Sequence, residues 1–311
     1  MKKENSGRRV FALIIFVLLG ATLVAAHTVL VRREGVPYVD RLLSLREDQI
    51  SLDLVALSLS KGSFPNLKIR AYRQKIDGLA REVQSLAGGS ENPEARINAL
   101  NAVLFQREGY TYDPDVSAGK KKGNPAHLNT LLDTKRGTCL TLPLLYMSVA
   151  QRLRYPIRPV MVPGHCFLRY LAPDSRVINI EATARGESYP DDFYIHALSV
   201  EEKSLKIGSY MRTLSYREYL AVIVDDSATA FNENGAVGRA VDYEKTAVQL
   251  DPLCAGCYRR LNSYSGMMSI IDHGPAALEA YSLASESGKK YIELGYVDLE
   301  DTSYWKLRWK T

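Results

Sequence analysis

Three residues of this 311-residue chain have the types and setting for nucleophilic chemistry: Cys139 in KRGTCLTLP, His165 in VPGHCFLRY and Glu181 in INIEA. A catalytic thiol needs a lowered pKa, a base within hydrogen-bond reach and a third group that orients the base. Cys139 follows Gly137-Thr138 and precedes an apolar run whose Pro143 is tolerated only in a first turn, so a helix is expected to open at Cys139. Free N–H groups and the positive end of the helix dipole there would favour a thiolate, or an oxyanion during acyl transfer.

The base follows from strand geometry. PIRPVMV, HCFLRYL and RVINIEA are short, rich in Val, Ile, Tyr and Phe, and separated by Pro-Gly and Pro-Asp-Ser, which predicts three antiparallel strands. Directly opposed residues share a face, and a three- or five-residue loop before the last strand sets His165 opposite Glu181. Asn179, two residues earlier on that face, is the alternative orienting group, and a one-residue slip would remove both. Cys166 points the other way, into the core. The competing account is structural: a packed thiol and a hydrogen-bonded strand histidine.

The surrounding chain supplies elements to hold these residues. In NLKIRAYRQKIDGLAREVQSL, apolar residues recur at three- and four-residue spacing after a candidate N-cap, Asn66, and Gly88-Gly89-Ser90 ends the helix. ARINALNAVLFQRE predicts another helix, closed by Gly109. YTYDPDVSAGKKKGNPAH reads as a polar loop, with Lys120, Lys121 and Lys122 on its solvated part. Beyond residue 215 the chain turns helical. Ala228, Phe231, Ala240, Ala247 and Pro252 fall at the intervals of one tetratricopeptide repeat, with Pro252 starting the next helix. A poorer copy contains Tyr258, Leu261, Ala277, Tyr281 and Ala284. The expected fold is therefore α+β, in three parts: residues 1–35, 36–215 and 216–311.

Composition bounds the function. Apolar residues make up 46% and charged residues 24%, which excludes pervasive disorder and a multi-span membrane protein. The net charge of +5 is modest, and Lys2, Lys3, Arg8 and Arg9 supply four positive charges at one end, so nucleic-acid binding has little support. Those residues precede the uncharged run VFALIIFVLLGATLVAA. It is expected to be either a signal peptide cleaved after Val24-Ala25-Ala26 or an uncleaved anchor over residues 10–31, about 33 Å long as a helix and sufficient to cross a bilayer core. Either expectation puts the remainder outside the cytoplasm, in the cell envelope or secreted, with the basic end on the cytoplasmic side. Arg8-Arg9 reads as ordinary basic flanking sequence.

Cys254-x-x-Cys257 has no second pair or histidine cluster beside it, which argues against zinc. An oxidised pair would suit an exported protein, but two unpaired helix thiols are the plainer expectation. His27, His127, His196 and His273 have no recognisable partners. No metal or cofactor is expected.

The segments LSLSKGSFPNLKIRAYRQKIDGLAREV, INALNAVLFQREGY, NPAHLNTLLDTKRGTCLTLPLLYMSVAQRL, VPGHCFLRY and INIEA together resemble the SirB-type transglutaminase-like family, over roughly residues 45–290. The most specific pieces are Leu104-Phe105 with Gly109-Tyr110, the Arg-Gly before Cys139, and Pro163-Gly164-His165. The resemblance implies a helical N-terminal part, a papain-like transglutaminase core with a small antiparallel sheet, and often tetratricopeptide repeats behind it. It also implies an active site of Cys, His and Asp in chain order, which maps onto Cys139, His165 and Glu181. Two departures go with it: many family members lack the cysteine, and Glu181 stands where Asp is usual. Asn124 matches a family asparagine in the loop before the helix, where it would orient the site or simply form a turn. The reaction implied is attack on an amide or peptide bond of a protein or cell-wall substrate, with water or an amine as acceptor. The alternative, from another class, is a non-catalytic scaffold that binds a protein partner through its repeats.

Overall fold

The computed structural model describes residues 38–117 and 127–296. The apolar run at residues 10–31, the lysines at 120–122 and Asn124 lie outside them. Among the described residues no helix is long and apolar enough to cross a membrane. A 3-10 helix, Tyr38–Ser44, falls in a unit separate from residue 45 onward.

The larger unit is built around one helix. In chain order its first elements are α1 (Leu52–Leu59), α2 (Ile69–Ala87), α3 (Pro93–Asn101), β1 (Thr111–Tyr112), α4 (Leu128–Thr134), β2 (Arg136–Gly137) and α5 (Thr141–Arg152). Every residue of α5 from Thr141 to Ala150 is buried, as a helix with no polar face must be. Helices α1, α2 and α4 pack on it, and so does the sheet formed by β3 (Ile157–Val162), β4 (His165–Leu171) and β5 (Val177–Ile180). The order β3-β4-β5 is antiparallel throughout. Small sheets among helices, with a helical region behind them, are the α+β architecture expected.

Several local expectations need correction. Helix α2 starts after Lys68 rather than at an Asn66 cap, because Leu67 and Ile69 sit in tight turns; its end at Gly88 has the left-handed φ of 59° that glycine adopts freely. Helix α3 runs on into a wider π turn, Ala102–Arg107. The parallel pair β1–β2 has no periodic signal, since each strand is two residues long. Helix α5 opens at Thr141, not Cys139, because Thr138 Oγ1 accepts from the amides of Leu140 and Thr141 and caps the turn first.

After the sheet come α6 (Asp191–Ala197), α7 (Glu202–Ile207) and four longer helices: α8 (Tyr216–Glu233), α9 (Val237–Leu250), α10 (Ala255–Ile271) and α11 (Pro275–Glu293). Neighbours in this series pack on each other, and α8 also contacts α1 and β3. Ala228, Ala240 and Ala247 are fully buried where α8 and α9 meet, as small residues at a close crossing should be. Pro252 lies in a turn and α10 starts three residues later. Tyr281 is 68% exposed, so the second copy of the spacing does not place it in a core. Cys254 and Cys257 form a disulfide, against the expectation of two unpaired thiols. The first turn of α10 brings residues three apart onto one side of the chain, within reach of each other.

Candidate active site

Cys139 is held between two tight features. Gly137, just before it, lies where a Cβ would meet the Leu131 side chain at 2.8 Å and Thr141 Oγ1 at 2.9 Å, so only glycine lets β2 come this close to α5. On the other side, Tyr219 of α8 donates to the carbonyl of Leu140 at 3.2 Å. The two-residue turn Pro163-Gly164 joins β3 to β4, with Gly164 at a φ of 64°. The thiol of Cys139 reaches the Gly164 carbonyl at 3.7 Å, and His165 is the next residue.

His165 is 2% exposed, and its Nε2 contacts Glu181 Oε2 at 2.8 Å. Glu181 is fully buried and well held. Its Oε1 accepts from the Thr183 amide at 3.0 Å and the Thr183 hydroxyl at 2.6 Å, and its Oε2 also accepts from the Tyr194 hydroxyl at 3.2 Å. The ring of Tyr194 stacks on Phe167 with centroids 3.8 Å apart, which aims that hydroxyl. Neither Tyr194 nor Thr183 was signalled by motif or spacing.

The register differs from the expected one. Arg169 pairs with Asn179 and Leu168 with Ile180, a displacement of two residues, because the connecting loop takes Ala172 to Arg176. A shift of two preserves the side-chain face, since strand periodicity is two. Glu181 leaves the ladder one residue after β5 and reaches His165 diagonally. Its backbone is held by the following turn instead: the Glu181 amide donates to the Glu187 carbonyl at 2.7 Å. Asn101 donates to the Gly186 carbonyl in that turn and accepts from the Tyr146 hydroxyl of α5. The helical core thus positions the acid.

Asn179, the alternative orienting residue, is placed elsewhere. It accepts from Arg169 Nε at 3.2 Å and donates at 2.8 Å to both the Tyr189 carbonyl and Asp191. Arg169, 8% exposed, continues to the Met211 carbonyl, Thr213 and Asp191. The pair ties residues 189–213 to the sheet and leaves His165 to Glu181. Cys166 is completely buried on the opposite face, and burial pushes its thiol pKa well up, which keeps it inert.

Electrostatics separates the two partners of the buried pair. Burial alone would discharge the imidazole, but the Glu181 charge and the Cys139 thiol beside it outweigh that and raise His165 to about 10. Burial would likewise raise Glu181, yet the imidazolium and the Thr183 donors hold it below the ordinary glutamate value. Glu181 takes Nε2, so any proton exchange between His165 and a thiol would run through Nδ1.

Among the described residues, ligand atoms of Asp225, Glu244 and Cys257 lie within 4.8 Å of one another. Cys257 is spent in the disulfide and Asp225 is ion-paired with Arg260, while burial pushes the Glu244 carboxyl pKa well up. The group reads as a buried polar network joining α8, α9 and α10.

Residues 70–220, from α2 into α8, match the model of the transglutaminase-like superfamily. UPF0162 proteins of two Xylella fastidiosa strains are 22% identical over 142 residues, 46% of this chain and 50% of theirs. A UPF0162 protein of Buchnera aphidicola is 21% identical over 116 residues, 37% of this chain and 41% of its own. The chain thus spans half or less of the curated relatives it matches. No solved structure matches significantly.

Proposed function

With residues 70–220 forming a transglutaminase-like domain, we propose that the protein is a thiol acyl-transfer enzyme or hydrolase acting on amide bonds. The observation that carries this reading is the buried His165–Glu181 pair beside the Cys139 thiol. In it Cys139 Sγ, its proton passed to His165 Nδ1, attacks the amide carbonyl. The tetrahedral intermediate collapses to a thioester as His165 returns the proton to the departing amine. His165 then deprotonates water, which attacks the thioester and regenerates the thiol with release of the acid. An amine in place of water gives crosslinking. Glu181 holds the ring and stabilises the imidazolium throughout.

The finer assignments belong to the same proposal: a SirB-type member, tetratricopeptide-type helices behind the core, an N-terminal anchor or signal, and a protein or cell-wall substrate in the envelope. The buried alanines of α8 and α9 support the repeat-type helices, and the 10–26 apolar run supports the anchor or signal. The rival reading, an inert core serving as a scaffold, draws on the apolar side chains exposed near the α10–α11 turn, Ile270, Ile271, Leu278 and Tyr281.

The deciding measurement is the rate of Cys139 alkylation by iodoacetamide against pH. The enzyme reading expects an apparent thiol pKa well below the ~8.5 of a free cysteine, lost in His165→Ala. A wild-type profile indistinguishable from a free thiol makes the protein a scaffold.

A further inference from the structure

Cys139 and His165 open on a cavity of about 180 Å³. At roughly 30 Å³ per water, that is space for about six waters. One wall belongs to the transglutaminase-like core, and in the other the start of α10 brings Cys254, Ala255 and Gly256 to the same space. A free thiol and a disulfide therefore face one small cavity.

The two halves of that disulfide are unlike. Cys254 is the N-cap of α10 and half-buried, and its Sγ accepts from the Cys257 amide at 3.2 Å. Ala255 and Gly256 carry too little side chain to cover it. Cys257 is fully buried, so a thiolate in the cavity reaches Cys254 and expels Cys257. A thiolate expelled into an apolar setting needs a proton. Glu244 is placed to give one: it is fully buried, a carboxyl oxygen lies within 4.8 Å of the Cys257 sulfur, and neither oxygen meets a donor among the described residues. Burial and the Asp225 charge push its pKa well up, as suits a carboxyl that passes its proton to a thiolate.

We propose that Cys254–Cys257 is a redox-active pair whose exchange partner is Cys139, giving the cavity a second chemistry, thiol–disulfide exchange. The proposal rests on the reading of Cys139 as an activated thiol. Cys139 Sγ, its proton held by His165, attacks Cys254 Sγ. The Cys139–Cys254 bond forms, the Cys254–Cys257 bond breaks, and its electron pair leaves on Cys257 Sγ, which takes the Glu244 proton. The new carboxylate lies in the field of Arg260. One thiol and one disulfide become one disulfide and one thiol, so the step needs no outside oxidant or reductant. The reverse step, with Glu244 as base, frees Cys139. The nucleophile is thus masked in one form of the pair and available in the other.

The test holds the full chain at pH 7 without reductant, blocks free thiols with N-ethylmaleimide in acid denaturant, and maps the disulfides by mass spectrometry after digestion. Peptides joined through Cys139 and Cys254, with the label on Cys257, should account for about a tenth of the chains or more, as for two disulfides of similar stability. The joined species should be missing from Cys139→Ser. In Glu244→Gln it should form about ten-fold more slowly, the low end for loss of a proton donor. An unchanged rate there overturns the assignment of the proton to Glu244. In Cys257→Ala, glutathione loaded on Cys254 should be displaced by Cys139, which leaves Cys139–Cys254 as the bond found. A second arm measures the alkylation profile of Cys139 in Cys254→Ser/Cys257→Ala, where no disulfide can compete. A lowered thiol pKa there, with no Cys139–Cys254 bond in either the wild type or Cys257→Ala, overturns the exchange and leaves the thiol site standing. A free-thiol profile overturns the catalytic reading, and this proposal with it.

Discussion

Two buried histidines lie on different sides of helix α5 and behave oppositely. His165, on the sheet side, faces Glu181 and Cys139 and is raised to about 10. His127, on the helical side, has its Nδ1 at 3.0 Å from Ser60 Oγ and its Nε2 at 3.2 Å from Ser63 Oγ, with the Phe64 ring edge-on. Burial without a compensating charge lowers it to about 4. Equal burial therefore does not define a histidine's chemistry; the formal charge of its neighbours does. Hydroxyls satisfy a neutral ring, whereas a buried carboxylate compels a charged one.

The largest expected effect comes from removing the imidazole that distinguishes the sheet side. His165→Ala should slow Cys139 alkylation at pH 7 by ten-fold or more, on the order expected for loss of a thiolate partner, whereas His127→Ala should leave the apparent thiol pKa in place. Stopped-flow alkylation of the two variants compares them directly. Equal losses would dissolve the distinction between the sites.

Glu181→Gln sharpens the comparison by making the His165 environment resemble that of His127. The ring's pKa should drop and the apparent pKa of the Cys139 thiol should rise, both readable by NMR titration and by the alkylation profile. Stability should change with pH in a matching way. The His165 contribution is full below the unfolded value of about 6.5 and is lost as pH rises through about 10; the Glu181 contribution is present above about 4.5 and is lost as pH falls through its lowered folded value. The melting temperature should therefore decline from pH 6.5 to 10 in the wild type, and this decline should flatten in Glu181→Gln.

His127 predicts the opposite slope. Its folded pKa lies below the unfolded one, so stability falls as the unfolded state takes up a proton between about pH 6.5 and 4. His127→Gln should reduce that acid sensitivity. Thermal melts at half-unit intervals would separate it from the alkaline slope of His165.

A smaller effect is expected from Asn179, which shares the His165 face without serving it. Asn179→Ala leaves Arg169 and the Tyr189 carbonyl short of partners and should cost about 1–3 kcal/mol in denaturant unfolding. The thiol pH profile should stay where it is; a shift comparable to that of Glu181→Gln would restore Asn179 as the orienting group. Smallest of all is a count: unfolded without reductant, the chain should show two titratable thiols, Cys139 and Cys166, and four after reduction.

What was legible in the sequence was local and periodic. The strand alternation of HCFLRYL, the Pro-Gly turn, the apolar run after Thr138 and the close-packed alanines near residues 228–247 each reflect a short-range rule of backbone geometry or helix packing. They were enough to bring His165 and Glu181 to one face, because an error of two residues in register leaves every side chain on its side of the sheet. The tertiary structure decided what lay between elements far apart in the chain. It chose Glu181 over Asn179, since Arg169 and residues 189–191 claim the amide while Thr183 and Tyr194 hold the acid. It joined Cys254 to Cys257 where the sequence favoured two unpaired thiols, and it turned the start of α10 toward Cys139. Such outcomes depend on competition among distant donors, acceptors and charges for the same buried space, and no local pattern records who wins that competition.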